Sequence, residues 1–365
     1  MAPPIFPFFE LAAVARAGSI QNWEVDQVIE STMLSDTFRE QVESYRYPCE
    51  KLTWSITEHP LILITNNQTT VSIKFRNMIN ETYTPVRKVN GTYHFFDKRS
   101  KITNMIGQSF VEWYFHVDED SFEFKMRMME EVTKLLMTIL KDASFNLVYE
   151  RQNSDITIRD LFIWKYIKSF TLLEIQPPSV SPSITMSPED LIFLLEDIKA
   201  EKRDMKIKVA DFKYNKPIQG KDIRLDNMSW VTTECLKGHE VVKIIIKSSG
   251  GVNFNEIIRH WVNGGSPNLE SFHTCKSGNM TGANQVFNGF NKIGTVFTKS
   301  DFQRRSSDSR PENSHDIQRN GDGRVCTVFA EDEFKFEMNV WHQKHFLFVE
   351  PETRDRLKTK YGIQF

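Results

Sequence analysis

Apolar positions at helical spacing occupy the first 48 residues in three short stretches, which predict three short helices. Asn22 precedes the second stretch and Ser35 or Asp36 the third, and all three residue types are good N-caps. Tyr47-Pro48 ends the pattern, because proline cannot continue a helix. The apolar positions are Phe8, Phe9, Leu11, Ala12 and Val14, then Val25, Val28 and Ile29, then Phe38 and Val42.

The next segment changes to the alternation typical of strands. Residues 51–57, 61–65 and 70–75 are rich in β-branched and aromatic side chains. Asn90-Gly91, between 86–89 and 93–96, is the strongest short signal for a β-hairpin. The sequence therefore predicts a small antiparallel β region. Helical spacing returns over 122–140, and we assign its methionine-rich stripe to core packing.

Strands and helices then alternate, which predicts parallel strands with helices over them. The expected strands are 146–149, 170–175, 205–212, 223–225, 241–246 and 269–273, and the main helices are 158–167, 188–198 and 254–263. The fold class is α/β (α+β overall), with an irregular stack resembling leucine-rich repeats. Asn320 to Gly323 forms the turn of a final β-hairpin, followed by a strand over 334–341.

Composition shifts divide the chain into four parts. We expect a helical segment at 1–48, a β-rich then α/β region at 49–176, an interaction domain at 184–345 and a C-terminal tail at 346–365. The proline-rich stretch at 177–182 is the expected linker. The polar stretch at 300–314 predicts a mobile loop.

Charge and cysteine content narrow the function classes. Forty-six lysines and arginines against 48 aspartates and glutamates argue against a nucleic-acid binder driven by overall charge. Four widely spaced cysteines predict free thiols rather than a disulfide framework. The sequence contains no run of about 18 apolar residues, so it predicts no membrane span, and the N-terminus does not resemble a signal peptide. We expect a protein of the cytoplasm or nucleus that acts without a membrane.

Patterns that carry catalysis are not found in the sequence. The chain has no nucleophile elbow, phosphate-binding loop or dinucleotide-binding motif. His342 and His345 have no further ligand at metal-binding spacing, and the Asn320 to Gly323 segment lacks the final glutamate of a calcium loop. The sequence therefore predicts a non-enzymatic protein with no catalytic residues, metal or cofactor.

Residues 256–272, reading EIIRHWVNGGSPNLESF, resemble the nematode-type F-box-associated domain (type 2), and the resemblance extends over about 205–345. Residues 223–236 resemble the upstream strand and short helix, and residues 316–341 resemble the terminal hairpin and closing strand. The family-motif residues are Trp261, Gly264, Gly265, Pro267, Leu269, Glu270 and Trp341. At the front, residues 6–14 resemble the opening of an F-box, although the family usually has Leu-Pro where this chain has Leu11-Ala12.

The resemblance implies a substrate-recognition subunit of a Skp–cullin–F-box ubiquitin ligase. Its partners would be a Skp-type adaptor with its cullin ligase and a target protein held by the C-terminal domain. The residues expected to contact the adaptor are Phe6, Pro7, Phe8, Leu11, Val14, Val28, Ile29 and Leu34.

Two other interpretations remain. One is a non-catalytic interaction scaffold whose F-box-like segment no longer binds the adaptor, its apolar residues packing on the protein's own core. The other is an enzyme with an unrecognised site. For Trp261 and Trp341 core packing is the default expectation, because large aromatic side chains are usually buried.

Overall fold

The computed structural model describes residues 13–67, 69–77, 86–103, 109–117, 121–150, 157–178, 183–226, 229–247, 252–274, 283–304, 311–331 and 335–364. The chain forms two compact units, Met1–Thr171 (unit 1) and Leu172–Phe365 (unit 2). Their division falls a few residues before the proline-rich stretch where we expected a linker, and the segment expected at 1–48 is grouped with the rest of unit 1. The α/β fold class is confirmed.

Unit 1 is a mixed sheet with helices on one side. Its helices are α1 (Ala13–Gln21), α2 (Val25–Leu34), α3 (Asp36–Tyr45) and α4 (Phe122–Ile139). Its strands are β1 (Tyr47–Pro48), β2 (Lys51–Ile56), β3 (Leu61–Asn66), β4 (Thr69–Asn77), β5 (Val86–Val89), β6 (Thr92–Thr103), β7 (Ser109–Val117), β8 (Leu140–Lys141) and β9 (Ser144–Glu150). The strand order is β9-β2-β3-β4-β7-β6-β5, with β9–β2 and β4–β7 parallel, and β1 pairs separately with β8.

Helices α2, α3 and α4 form where the sequence predicts them, but the N-cap of α2 is Glu24 and not the expected Asn22. Ser35 caps α3 by accepting a hydrogen bond from the Phe38 amide at 3.2 Å. Helix α4 packs against β4 and β7, and the Trp54 indole donates to the Thr133 hydroxyl at 2.9 Å in the buried interior. The methionine-rich stripe of α4 is buried, as core packing requires. The Asn90-Gly91 hairpin is confirmed, but the expected small antiparallel region is wrong in extent, because β4–β7 and β2–β9 are parallel pairs in a larger sheet.

Unit 2 contains the strand–helix stack. Its strands are β10 (Ser169–Gln176), which begins in unit 1, β11 (Ile184–Thr185), β12 (Lys199–Lys208), β13 (Asp222–Asp226), β14 (Lys243–Ile246), β15 (Ser271–Thr274), β16 (Ile293–Gly294), β17 (Ser314–Gln318), β18 (Val325–Glu331) and β19 (Lys335–Trp341). Its helices are α5 (Pro188–Ile192), continued by a π-helical turn at Phe193–Asp197, then α6 (Phe254–Val262), α7 (Ala283–Val286), α8 (Lys299–Arg304) and α9 (Pro351–Tyr361). Strands β12 to β15 are parallel and in register, followed by antiparallel β19, β18, β17 and β16.

One face of the unit 2 sheet is mostly apolar over its parallel strands. Phe254 of α6 packs on this face, with ring centroids 5.8 Å from Phe272 and 4.5 Å from Phe336. Ser187 and Asn253 cap the N-termini of α5 and α6 by accepting hydrogen bonds from the amides of Asp190 and Glu256. The side chains of this face alternate with those of the opposite face because of the strand period of two.

Strand β12 begins earlier than the sequence predicts. We expected a strand at 205–212, because the preceding residues are charged, but β12 covers Lys199–Lys208. Arg203 lies on the apolar face and is 1% exposed. Its guanidinium donates to the carbonyls of Leu194, Ile198 and Gln219 at 2.8, 2.6 and 2.7 Å. A charged residue is tolerated there because it satisfies carbonyls at the end of the preceding helix.

Three other expectations need correction. Residues 158–167 form two 3₁₀ turns, Ile158–Asp160 and Phe162–Lys165, because Leu161 is extended. The expected loop at 300–314 begins in α8, where Asp301 and Phe302 are buried, and its end lies in β17. The expected tail at 346–365 contains a 3₁₀ turn, Gln343–Phe348, and helix α9, whose apolar side chains belong to a buried cluster with Trp341.

Candidate interaction surface

The second face of the unit 2 sheet is open over its parallel strands. We call this surface the open face. Its side chains are half-buried or exposed, unlike those of the apolar face. They are Lys202, Asp204 and Lys206 of β12, Asp222, Arg224 and Asp226 of β13, Lys243 and Ile245 of β14, and Ser271 and His273 of β15.

The strand register arranges the open face into rows of alternating charge. In the strand register Lys202 lies opposite Asp222, and Asp222 lies opposite Lys243. In the next row Asp204 pairs with Arg224. Opposite charges on neighbouring strands stabilise the sheet, and they also leave the face without a continuous patch of one sign. Burial, with the neighbouring Asp204 carboxylate, raises the pKa of Glu174 in β10.

The same face is covered where the sheet becomes antiparallel. Trp341 of β19 stacks on Phe297 at a centroid distance of 3.7 Å, and its indole donates to the Thr327 hydroxyl at 2.9 Å. Phe302 of α8 and Leu357 of α9 complete this cluster and are fully buried. Helices α8 and α9 therefore cover this half of the sheet, whereas the side chains on the same face of the parallel strands remain half-buried or exposed.

A groove lies at the border between the open and covered halves. We call it the end groove. Its volume is about 360 Å³. The open face contributes Lys243 and Ser271, and the covered half contributes Asn339, Trp341 and Phe348. The groove therefore combines an ammonium group, polar side chains and an aromatic ring in one concave site.

The two carboxylates of the end groove already have partners. Asp301 accepts hydrogen bonds from the Thr298 amide and hydroxyl, from the Glu350 amide at 3.0 Å and from the Thr353 hydroxyl at 2.9 Å. Burial opposes ionisation of Glu270, but a hydrogen bond from Lys344 and other nearby positive groups outweigh it and lower the pKa of this carboxyl.

Three residues of the family motif, Gly264, Gly265 and Pro267, lie in one braced turn after α6. Gly264 adopts a φ of +97°, which favours glycine. Arg319 donates to the carbonyls of Gly264 and Gly265, and Arg324 donates to the Pro267 carbonyl at 2.6 Å. These contacts support the backbone and leave little of the motif for recognition.

The apolar members of the motif are in the core. Trp261, Leu269 and Trp341 are almost fully buried, as expected by default for the tryptophans. His342 donates to the Leu269 carbonyl at 2.8 Å. Of the motif residues, Glu270 is the one that lines the end groove together with Trp341.

The adaptor-contact residues have different locations. Phe6, Pro7, Phe8 and Leu11 lie outside the described residues, as does the side chain of Val14. Val28 and Ile29 were expected at the adaptor surface, but they are 0% and 1% exposed. Because α2 packs against β4 and β5, these two side chains belong to the unit 1 core. Leu34, at the end of α2, is 62% exposed.

Sequence reasoning missed Phe348 and Leu347, which are 65% and 72% exposed. Both residues lie in the segment expected to be a C-terminal tail, where the apolar positions show neither helical nor strand periodicity. Within the described ranges, no group of three metal-binding side chains is found and no helix is long and apolar enough to cross a membrane. The thiols of Cys49, Cys235 and Cys326 are free and buried, and burial raises the pKa of each.

The chain was compared with known proteins. No family model, curated protein or solved structure matches it.

Proposed function

We propose that this protein is a substrate-recognition subunit of a Skp–cullin–F-box ubiquitin ligase and that unit 2 binds its target protein. The proposal begins from the resemblance of residues 256–272 and 6–14 to the two parts of nematode-type F-box proteins. In this role the chain performs no chemistry. It raises the effective concentration of a target near the ubiquitin-conjugating enzyme.

The observation that carries the proposal is the open face. Parallel sheets are normally covered on both faces, because their crossover connections lie over them. Here four in-register parallel strands expose polar side chains on one face, while apolar side chains fill the other. An uncovered face of this kind supports a role in binding another macromolecule.

The N-terminal helices supply the proposed adaptor contact. Val28 and Ile29 pack inside unit 1 and hold α2 in place rather than contacting a partner. The contact is therefore assigned to Leu34, which is exposed, together with the apolar residues of 6–14. An exposed leucine side chain favours a protein interface, because burying it in a complex removes apolar surface from water.

The test is co-purification of the full chain with a recombinant Skp-type adaptor. We expect the wild-type chain to retain the adaptor and the Leu34→Asp variant and the Leu11→Asp/Val14→Asp double variant to lose it. Leu347→Asp is the matched control, because Leu347 is equally exposed but lies in unit 2. Equal recovery of the adaptor by all four proteins, or by none, would count against the proposal.

A non-catalytic scaffold without adaptor binding is the second candidate. It is favoured by the burial of Val28 and Ile29 and by Leu11-Ala12 in place of the usual Leu-Pro. Under this alternative unit 2 still binds a partner, but the adaptor is not recovered with any variant.

A further inference from the structure

We propose that the end groove binds an extended segment of the target that carries acidic residues next to one large apolar side chain. This inference deepens the proposed function, because it assigns the target site and the chemistry of the bound segment. Its support comes from the exposed ring of Phe348, the ammonium group of Lys243 and the charge pattern of the open face.

Phe348 is an exposed apolar side chain on a fixed backbone. It lines the end groove at the end of the Gln343–Phe348 turn. Arg304 donates to the Phe348 carbonyl, and Arg354 donates to the carbonyls of Leu347 and Val349 at 2.9 and 3.1 Å. A backbone held in this way needs no reordering on binding, so burial of the exposed ring is not offset by the cost of fixing the turn.

Lys243 supplies positive charge to the groove, and Arg304, which also lines it, already pairs with Glu350. Lys243 is half-buried, and within the described parts of the chain no carboxylate lies within 4.0 Å of its ammonium group. The groove carboxylates do not offset it, because Asp301 accepts four hydrogen bonds and Glu270 is engaged by Lys344. A carboxylate of the bound segment would therefore complete the pairing at Lys243.

The open face argues for a peptide rather than a polyanion. A nucleic acid lying along the strands would meet Asp204, Asp222 and Asp226, which alternate with the basic residues. Phosphate binding requires a continuous basic surface. An extended peptide can place a carboxylate at Lys243 and an apolar side chain against Phe348, both of which line the groove.

The test begins with selection of random dodecapeptides displayed on phage against the immobilised full-length chain. We expect the selected peptides to share an aspartate or glutamate close to a phenylalanine, leucine, isoleucine, methionine or tryptophan. Selection of basic peptides, or of no common pattern, would overturn the proposal.

The most enriched peptide is then labelled with fluorescein, and its affinity is measured by anisotropy. Phe348→Ser should weaken binding at least about tenfold, the loss expected when an aromatic side chain no longer contributes its buried area. Leu347→Ser is the matched control and should change the affinity less than about twofold, because Leu347 does not line the groove. Equal effects of the two variants would contradict the proposed anchor.

Charge reversal tests Lys243 without relying on loss of binding alone. Lys243→Glu should weaken binding of the acidic peptide and restore binding of a peptide with lysine in place of its acidic residues. Lys202→Glu, in the same row of the open face, should do neither. If Lys243→Glu does not bind the lysine-containing peptide, the proposed ion pair is contradicted. If the wild type dimerises and Phe348→Ser abolishes the dimer, the groove binds a second copy of the chain instead.

These outcomes are distinguishable from failure of the proposed function. Peptide binding at the end groove without adaptor recovery leaves the scaffold alternative. Adaptor recovery with unaltered peptide binding in Phe348→Ser leaves the ligase role and overturns the groove as the target site.

Discussion

Arg203 shows how one side chain can fix the position of a strand. Its charge makes residues 199–204 look like a surface segment, yet its guanidinium is inside the sheet and burial lowers its pKa to about 10. The three carbonyls that it satisfies come from the end of the preceding helix and from the connection to β13. Sequence periodicity cannot identify such a residue, because its role depends on carbonyl groups brought together by the fold.

Replacing Arg203 with methionine should destabilise unit 2. We expect Arg203→Met to lower the free energy of unfolding by at least about 3 kcal/mol, because three carbonyls lose their donor and each buried carbonyl left without one costs about 1–3 kcal/mol. Chemical denaturation of the full chain in urea measures the loss. Arg224→Met is the control on the open face and should stay within about 0.5 kcal/mol. A loss of similar size in both variants would refute the assigned role.

His342 should give unit 2 a defined pH dependence. Burial lowers its pKa, and Arg324, whose guanidinium is 3.5 Å from Nδ1, also disfavours the charged ring. Lys344 adds to this effect, whereas Glu270 opposes it. The folded protein prefers the neutral ring of His342. The contribution of this ring to folding stability is therefore complete above the ordinary pKa of 6.5 and is lost as pH falls below it.

The measurement is the urea midpoint between pH 7.5 and 5.5. The wild type should lose stability as the pH falls, and His342→Gln should lose less, because glutamine keeps a donor for the Leu269 carbonyl without titrating in this range. The exposed His239→Gln should behave as the wild type. If the urea midpoint of His342→Gln depends on pH as strongly as that of the wild type, His342 is not the source of this dependence.

At the scale of elements, the C-terminal helix is the largest difference between expectation and structure. Helix α9 is mostly charged, so its sequence resembles a solvated tail. It is held by Leu357, which is fully buried, and by the Thr353 hydroxyl, which donates to Asp301. Two inward positions in an otherwise polar helix are too few for periodicity to detect.

Leu357→Ala should destabilise the protein by about 2–5 kcal/mol, as expected for removal of a buried leucine side chain. Lys358→Ala, at the exposed neighbouring position of α9, is the matched control and should change the free energy of unfolding by less than about 0.5 kcal/mol. Thermal and urea unfolding both report the difference. If Leu357→Ala leaves the free energy of unfolding unchanged, α9 does not contribute to the core.

The elements with strong local signals were predictable for physical reasons. Turn geometry specifies the Asn90-Gly91 hairpin, a wide apolar stripe specifies α4, and an N-cap begins α6. Each of these signals is contained in the residues of the element itself or directly beside it. The open face was not predictable at residue level. Its composition follows from which strand positions lie opposite the apolar core, and the end groove exists because distant residues 243, 271, 339 and 348 meet.

At the scale of the whole molecule, the account joins two binding functions in one chain. The N-terminal helices with Leu34 are proposed to contact a ligase adaptor, and the open face with the end groove is proposed to contact a target. Neither function requires a reacting group. Each requires only that its surface remains accessible when the other is occupied.

The adaptor contact is tested most directly by size-exclusion chromatography with light scattering of the full chain mixed with a purified Skp-type adaptor. The account predicts one peak with the mass of a one-to-one complex, which the Leu11→Asp/Val14→Asp variant separates into two peaks of the individual proteins. Two separate peaks for the wild-type mixture at micromolar concentration would contradict it.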